Sequence, residues 1–192
     1  SYGIIFIVLS FITGAFIPLS FTFIGSLFLS FFLNKFIFQR RRALPKNAAV
    51  LITGTSASIG KATTLDFIQK QIYVIATVRN DEDAAQLEKD AKQVNSNEYL
   101  SIVKYDVTTK DHLSFVSEIR DILTKKSLVF HALINIAGYG PGGMMELLPE
   151  DKLQYQFDVN VFGLVNTTNA LLPLIREFIA AKGSLSPKLI TV

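Results

Sequence analysis

The chain has 192 residues, 49% of them hydrophobic, with 19 Lys and Arg against 16 Asp and Glu and no cysteine. The missing cysteines exclude a disulfide framework and a thiolate metal site. The two histidines, His112 and His131, stand 19 positions apart. They match no zinc spacing and read as helix-surface or loop residues, so no metal site is expected. The basic balance is local: Lys35, Arg40, Arg41, Arg42 and Lys46 have no acidic residue before or among them, and the 146 residues that follow carry 14 basic and 16 acidic side chains. That slightly acidic remainder gives no support to nucleic-acid binding.

Residues 2–34 carry no charge, and ten of the sixteen phenylalanines fall between Phe6 and Phe38. A bilayer core of ~30 Å needs ~20 apolar residues as helix, and this stretch is longer. It also exceeds the apolar region of a signal peptide and shows no acceptable cleavage site. Residues 1–38 are therefore expected to be a retained membrane anchor. Pro18, Gly14 and Gly25 interrupt it, which leaves open one tilted transmembrane helix or two short helices in a hairpin. Lys35 and Arg40–Arg42 should remain cytosolic and can touch anionic lipid headgroups. Residues 39–47 read as a basic linker. The first residue is Ser rather than Met, so the reading frame is expected to extend upstream.

From residue 48 onward the chain reads as alternating strand and helix. Ala49–Thr53 is a short apolar run stopped by Gly54, as in a buried parallel strand. Lys61–Lys70 reads as a helix, Ile72–Val78 as a strand, and Asp81–Gln93 as a polar helix with acidic residues in its first turn. Tyr99–Tyr105 is a third strand. Lys110–Lys125 is a helix with Leu113, Val116, Ile119 and Leu123 as its apolar stripe. Ala132–Ile136 is a fourth strand, stopped by Gly138. Asp151–Ile179 reads as one long helix with a bend at Pro173, and Lys188–Val192 as a fifth strand. The alternation predicts an α/β fold, a doubly wound parallel sheet of Rossmann type in the order 3-2-1-4-5, over residues 48–192.

The first strand runs into Thr53-Gly54-Thr55-Ser56-Ala57-Ser58-Ile59-Gly60 and then a helix. Such a turn presents backbone N–H groups and a helix N-terminus to a pyrophosphate. Gly54, Thr55, Ser56, Ser58, Ile59 and Gly60 are accordingly the candidate phosphate-binding residues. The string resembles the Thr-Gly-x-x-x-Gly-x-Gly fingerprint of the short-chain dehydrogenase/reductase family, with Ser58 in place of the middle glycine. That change puts a Cβ where backbone should approach phosphate. It weakens binding or supplies a hydroxyl donor instead, and the sequence leaves both open.

Further motifs agree in order. Asp106-Val107 is similar to the family's Asp that accepts from the adenine amino group. Asn135-Ile136-Ala137-Gly138 matches Asn-Asn-Ala-Gly with Ile in second place, which adds Asn135, Ala137 and Gly138 to the candidate cofactor residues. Asn160 matches the Asn that, in the family, helps hold a water in the proton relay. Arg79 directly follows the second strand, where the fold meets the adenosine ribose; an Arg there can pair with the 2′-phosphate of NADP. NADP(H) is favoured, with NAD(H) as the alternative, since Asp81 follows closely.

The family's Ser and its Tyr and Lys four apart are expected beyond Val192, because no Tyr-x-x-x-Lys occurs in the sequence. The chain is therefore read as an incomplete piece, inactive alone. The resemblance implies an NADP(H)-dependent oxidoreductase that interconverts a hydroxyl and a keto group. Anchored relatives suggest a lipid-soluble substrate, a site on the endoplasmic reticulum or a lipid droplet, and a possible homo-oligomer. The rival reading is a non-catalytic, membrane-tethered dinucleotide-binding module.

Overall fold

A computed structural model of the chain describes residues 25, 26, 28–32, 44–182 and 187–192. The chain divides into two compact units, Ser1–Leu44 and Pro45–Val192. In the first, residues 25, 26 and 28–32 are helical, and Phe28, Phe31 and Phe32 are exposed. Among the described residues no helix is long and apolar enough to cross a membrane. Most of the expected anchor and all of Arg40–Arg42 lie outside the described residues.

The second unit is built on five parallel strands: β1 (Ala48–Thr53), β2 (Tyr73–Val78), β3 (Leu100–Lys104), β4 (Val129–Asn135) and β5 (Lys188–Thr191). They lie in the order β3-β2-β1-β4-β5, as the alternation predicts. Every residue of β1 and β2 is buried, because helices cover both faces. Successive side chains of a strand point to opposite faces, and the core divides accordingly. Ala49, Leu51, Tyr73 and Ile75 join one cluster, with Phe115, Ile119, Leu171 and Leu174. Val50, Ile52, Val74 and Ala76 join the other, with Ile68, Leu87 and Ala91. Leu51 and Ile52 are fully buried, one on each face, and each contributes about 1.5–3 kcal/mol by leaving water.

The helices are α1 (Ser58–Gln69), α2 (Asp81–Gln93), α3 (His112–Lys125), α4 (Glu150–Phe157) and α5 (Leu164–Lys182). Their starts differ. The Asn80 side chain caps α2 by accepting from the Asp83 N–H at 2.8 Å, and the next three residues are acidic. Asp111 caps α3 by accepting from the Ser114 N–H at 3.2 Å. The start of α1 has neither a side-chain cap nor an acidic residue in its first turn.

The ends of α1, α2 and α3 share one geometry. Gln71, Asn95 and Ser127 have φ of 59°, 52° and 53°. Each donates its N–H three residues back, to Ile68, Lys92 and Thr124, and the following residue donates five back, to Phe67, Ala91 and Leu123. This pair of bonds is the Schellman closure, which satisfies the last carbonyls of a helix and needs a left-handed residue.

Several expectations need correction. α1 starts three residues earlier than read, so the glycine turn and the first helical turn share residues. β4 starts at Val129 and holds His131, which is neither on a helix nor in a loop. The β1–β4 register skips it, pairing Ala49 with Phe130 and Val50 with Ala132, so His131 is the extra residue of a bulge. Tyr99 closes a short 3₁₀ turn before β3. Leu113 is 84% exposed, and Phe115, Ile119 and Leu123 form the buried stripe of α3. The long helix is irregular at a π-helical turn, Asp158–Gly163, while Pro173 sits inside α5. Gly163 accounts for part of this: a Cβ there would lie 2.7 Å from Val107 Cγ2 and 3.0 Å from the Asp158 carbonyl oxygen. The wide turn brings helix backbone against the end of the β3 loop.

Candidate functional site

β1 has β2 on one side and β4 on the other. The connections from its two neighbours leave in opposite directions, and a crevice opens at the carboxyl ends of the strands at that switch point. The cavity there has a volume of ≈260 Å³. Every candidate residue lines it except Thr55, Asn135 and Asn160.

The turn after β1 is built by crowding. Gly54 has φ of 72°, and a Cβ on it would sit 2.5 Å from the Ala137 Cα. A Cβ on Gly60 would sit 2.1 Å from the Gly54 carbonyl oxygen. Both glycines are required by the packing of the turn itself, because no side chain tolerates such contacts with backbone. Thr55 is fully buried, and its N–H and hydroxyl both donate to the Thr77 carbonyl, at 3.1 and 2.9 Å. Its side chain joins the turn to β2 and does not line the cavity.

The turn after β4 is built by hydrogen bonds. The Thr53 hydroxyl accepts from the N–H groups of Ile136 and Ala137, at 3.1 and 3.2 Å. Asn160 grips Tyr139 from the π turn: its Oδ1 accepts from the Tyr139 N–H at 2.8 Å and its Nδ2 donates to the Tyr139 carbonyl at 2.9 Å. The side chain of Asn160 therefore positions the loop rather than lining the cavity. Asn135 is buried and also structural. Its Nδ2 donates to Thr168 Oγ1 at 3.1 Å, and its carbonyl accepts from the Val192 N–H. Its Oδ1 has no hydrogen-bond partner among the described residues.

Asp106 also lines the cavity, and its Oδ1 accepts from the Thr108 N–H and hydroxyl, at 2.9 and 2.7 Å. This Asx turn fixes the carboxylate and leaves Oδ2 with no hydrogen-bond partner among the described residues. Arg79 is exposed at the rim and makes no ion pair among the described residues. Asp81 is turned away, with both carboxylate oxygens 3.0 Å from Lys104 Nζ. The acidic residue that weighed toward NAD in the sequence is thus engaged elsewhere.

Seven lining residues were not among the sequence candidates: Ala57, Thr77, Tyr105, Ile136, Tyr139, Tyr155 and Val159. Ala57, Tyr105, Ile136 and Tyr139 abut motif residues, and that adjacency was the available signal. Tyr105 is buried and stacks on Phe115 with ring centroids 3.7 Å apart. Its hydroxyl shares hydrogen bonds with His112 Nδ1 at 2.8 Å and Thr167 Oγ1 at 2.9 Å. Burial pushes the phenol pKa above its ordinary value, with Thr167 opposing and Asp106 adding to the rise. Tyr139 and Tyr155 meet edge to face at 4.9 Å. Tyr155 and Val159 come from the helix that follows the loop, which no local pattern could place over β4. Met144 is exposed and outside the cavity lining.

A helix start with no cap of its own, an exposed cation and a fixed carboxylate acceptor, all lining one cavity, suit a ligand with phosphates near α1 and an amino-bearing base near Asp106. The chain is similar to known reductases and dehydrogenases. An NADPH-dependent 3-dehydrocapnine reductase of Ornithobacterium rhinotracheale is 36% identical, over 65% of this chain and 42% of its own length. A 3-ketodihydrosphingosine reductase of Bacteroides thetaiotaomicron is 30% identical, over 67% of this chain and 42% of its own length. The crystal structure of a short-chain dehydrogenase from Streptomyces avermitilis superposes with a TM-score of 0.58 at 27% identity, covering 75% of this chain and 48% of that one. The chain spans less than half the length of these relatives. Residues 48–184 match the family model for short chain dehydrogenase, and with the sheet order and glycine turn described above the chain belongs to the short-chain dehydrogenase family.

Proposed function

We propose that this protein is an NADP(H)-dependent oxidoreductase that interconverts a hydroxyl and a keto group on a lipid-like substrate. The observation that carries the cofactor choice is Arg79, a cation at the cavity rim with no ion pair among the described residues, while Asp81 is held by Lys104. The cofactor, when bound, supplies hydride exchange with the substrate carbon. The first turn of α1 would hold its pyrophosphate, Arg79 its 2′-phosphate and Asp106 its adenine. Asn160 keeps the Tyr139 loop in place beside it.

The substrate class rests on two supports. The relatives named as 3-dehydrocapnine and 3-ketodihydrosphingosine reductases are named for keto substrates, and residues 2–34 are uncharged and apolar. That segment would hold the enzyme on the cytosolic face of the endoplasmic reticulum or a lipid droplet, close to a membrane-dissolved ketone. The basic residues 40–42 would rest against lipid headgroups.

The test is titration of the full-length protein with NADPH and NADH, followed by assay on long-chain keto lipids in vesicles. NADPH is expected to bind more tightly. Arg79→Ala should weaken NADPH about ten- to a hundredfold, as loss of charge-assisted hydrogen bonds worth about 1.5–3 kcal/mol implies, and leave NADH nearly unchanged. Equal loss for both cofactors would remove Arg79 from the 2′-phosphate. Binding without turnover would favour the non-catalytic module.

A further inference from the structure

Two cavities lie on either side of the segment that follows β3. Tyr105, Asp106 and Val107 line the one described above. Val107, Thr108, Lys110 and His112 line a second, of ≈470 Å³, with Asp158, Phe162 and Asn166 of the π-helical turn and α5. Its volume falls in the range of small-molecule sites, ~300–1,000 Å³. Lys110, His112, Asp158 and Asn166 do not line the first cavity.

The polar groups of the second cavity are unspent. Lys110 and Asp158 carry opposite charges and line the same space, yet neither pairs with the other or with any other described residue. Lys110 is exposed and Asp158 half-buried. His112 spends Nδ1 on the Tyr105 hydroxyl at 2.8 Å, and its Nε2 has no hydrogen-bond partner among the described residues. The Asn166 side chain has none either. Phe162 lies about one helical turn beyond Asp158 and is 56% exposed. A carboxylate beside an open aromatic ring is a seat for an ammonium. Lys110 and the Asn166 amide supply N–H donors for an anion. His112 Nε2 adds another in the tautomer whose Nδ1 accepts from Tyr105. Two opposite charges that share a cavity without meeting suit a ligand that carries both.

We infer that the second cavity binds a small zwitterion, with its ammonium at Asp158 and Phe162 and its anionic group at Lys110, and that its occupancy alters dinucleotide affinity in the first cavity. The path between the two is short. Val107 is a wall of both. Thr108, from the second, fixes Asp106 of the first through its N–H and hydroxyl, at 2.9 and 2.7 Å. His112, from the second, holds the Tyr105 hydroxyl of the first. A ligand that engages Lys110 or His112 therefore acts on the loop that carries Asp106. The site stands without the proposed dinucleotide reading, and the coupling rests on it.

The experiment titrates the full-length protein calorimetrically with phosphoethanolamine, and separately with inorganic phosphate and with ethanolamine. Phosphoethanolamine should bind at least about tenfold more tightly than either half, the usual worth of one more hydrogen bond to a charged group. Lys110→Met and Asp158→Asn should each weaken it about tenfold and leave Kd for NADPH unchanged in its absence, which also reports an intact fold. Saturating phosphoethanolamine should shift Kd for NADPH by about fivefold or more, and NADPH should shift Kd for phosphoethanolamine by the same factor. Displacement by vesicles of phosphatidylethanolamine and not of phosphatidylglycerol assigns the zwitterion to a lipid headgroup; no displacement assigns it to a free solute. No binding, or binding unchanged in both variants, overturns the site. Inorganic phosphate that binds as tightly overturns the zwitterion, and an unmoved NADPH Kd overturns the coupling. In each of these NADPH binding itself persists, so the dinucleotide reading survives. Wild-type protein that binds neither NADPH nor NADH overturns that reading and the coupling, while the calorimetry still decides the site.

Discussion

The turn after β1 depends on the absence of side chains at Gly54 and Gly60, with the Thr55 hydroxyl tying it to β2, and the turn after β4 is held by hydrogen bonds from side chains. In the first, Gly54 and Gly60 let backbone lie against backbone with no room for a Cβ. In the second, the Thr53 hydroxyl and the Asn160 amide tie down the N–H groups of Ile136, Ala137 and Tyr139. The two are coupled, because the Cβ that Gly54 lacks would lie 2.5 Å from the Ala137 Cα. The difference teaches how each can fail. Steric exclusion is all-or-none, since backbone cannot yield without moving a strand. A hydrogen-bonded clamp yields by degrees, since water replaces a lost partner at modest cost.

The largest expected effect follows from the crowded turn. Gly60→Ala places a Cβ 2.1 Å from the Gly54 carbonyl oxygen, which only a backbone shift can relieve. The destabilisation should exceed about 3 kcal/mol, at or beyond the upper range for overpacked sites. Urea unfolding of the full-length protein measures it; a loss under about 1 kcal/mol would break the comparison.

The clamp should give a middling effect. Asn160→Ala removes two hydrogen bonds at 2.8 and 2.9 Å from an exposed loop, for about 1–2 kcal/mol in total. Hydrogen exchange of the Tyr139 amide should accelerate more than that of amides in β1. Unchanged exchange at Tyr139 would show that packing, not Asn160, holds the loop.

The smallest effect concerns the bulge that feeds the second turn. Burial, and then the charge of Lys188, lower the His131 pKa below its ordinary value. The folded state therefore favours neutral imidazole, and the unfolded chain takes up the proton first. Stability should fall as pH drops through about 6.5, the unfolded value, and level off below the folded one. His131→Gln should flatten that part of the pH–stability curve. An unchanged slope would assign it to other groups.

The order of strands and helices, the parallel sheet and most of the cavity were legible in the sequence because they follow from local rules. Strands buried on both faces read as apolar runs, and turns that need glycine show it. Gly54, Ser58, Gly60, Arg79, Asp106, Ala137 and Gly138 all line the cavity, since each lies at the carboxyl end of a strand or in the turn that follows. Only tertiary structure decided the direction of individual side chains. Thr55 sits in the same turn yet faces Thr77, Asn135 bonds Thr168 across 33 positions, and Asn160 reaches back to Tyr139. Leu113 and Phe115 are both apolar at the start of α3, and only the packed sheet and α5 select Phe115 for the core. The sequence could place a left-handed glycine at a helix start but not the left-handed Ser58, whose φ is 49°, because nothing local asks for one.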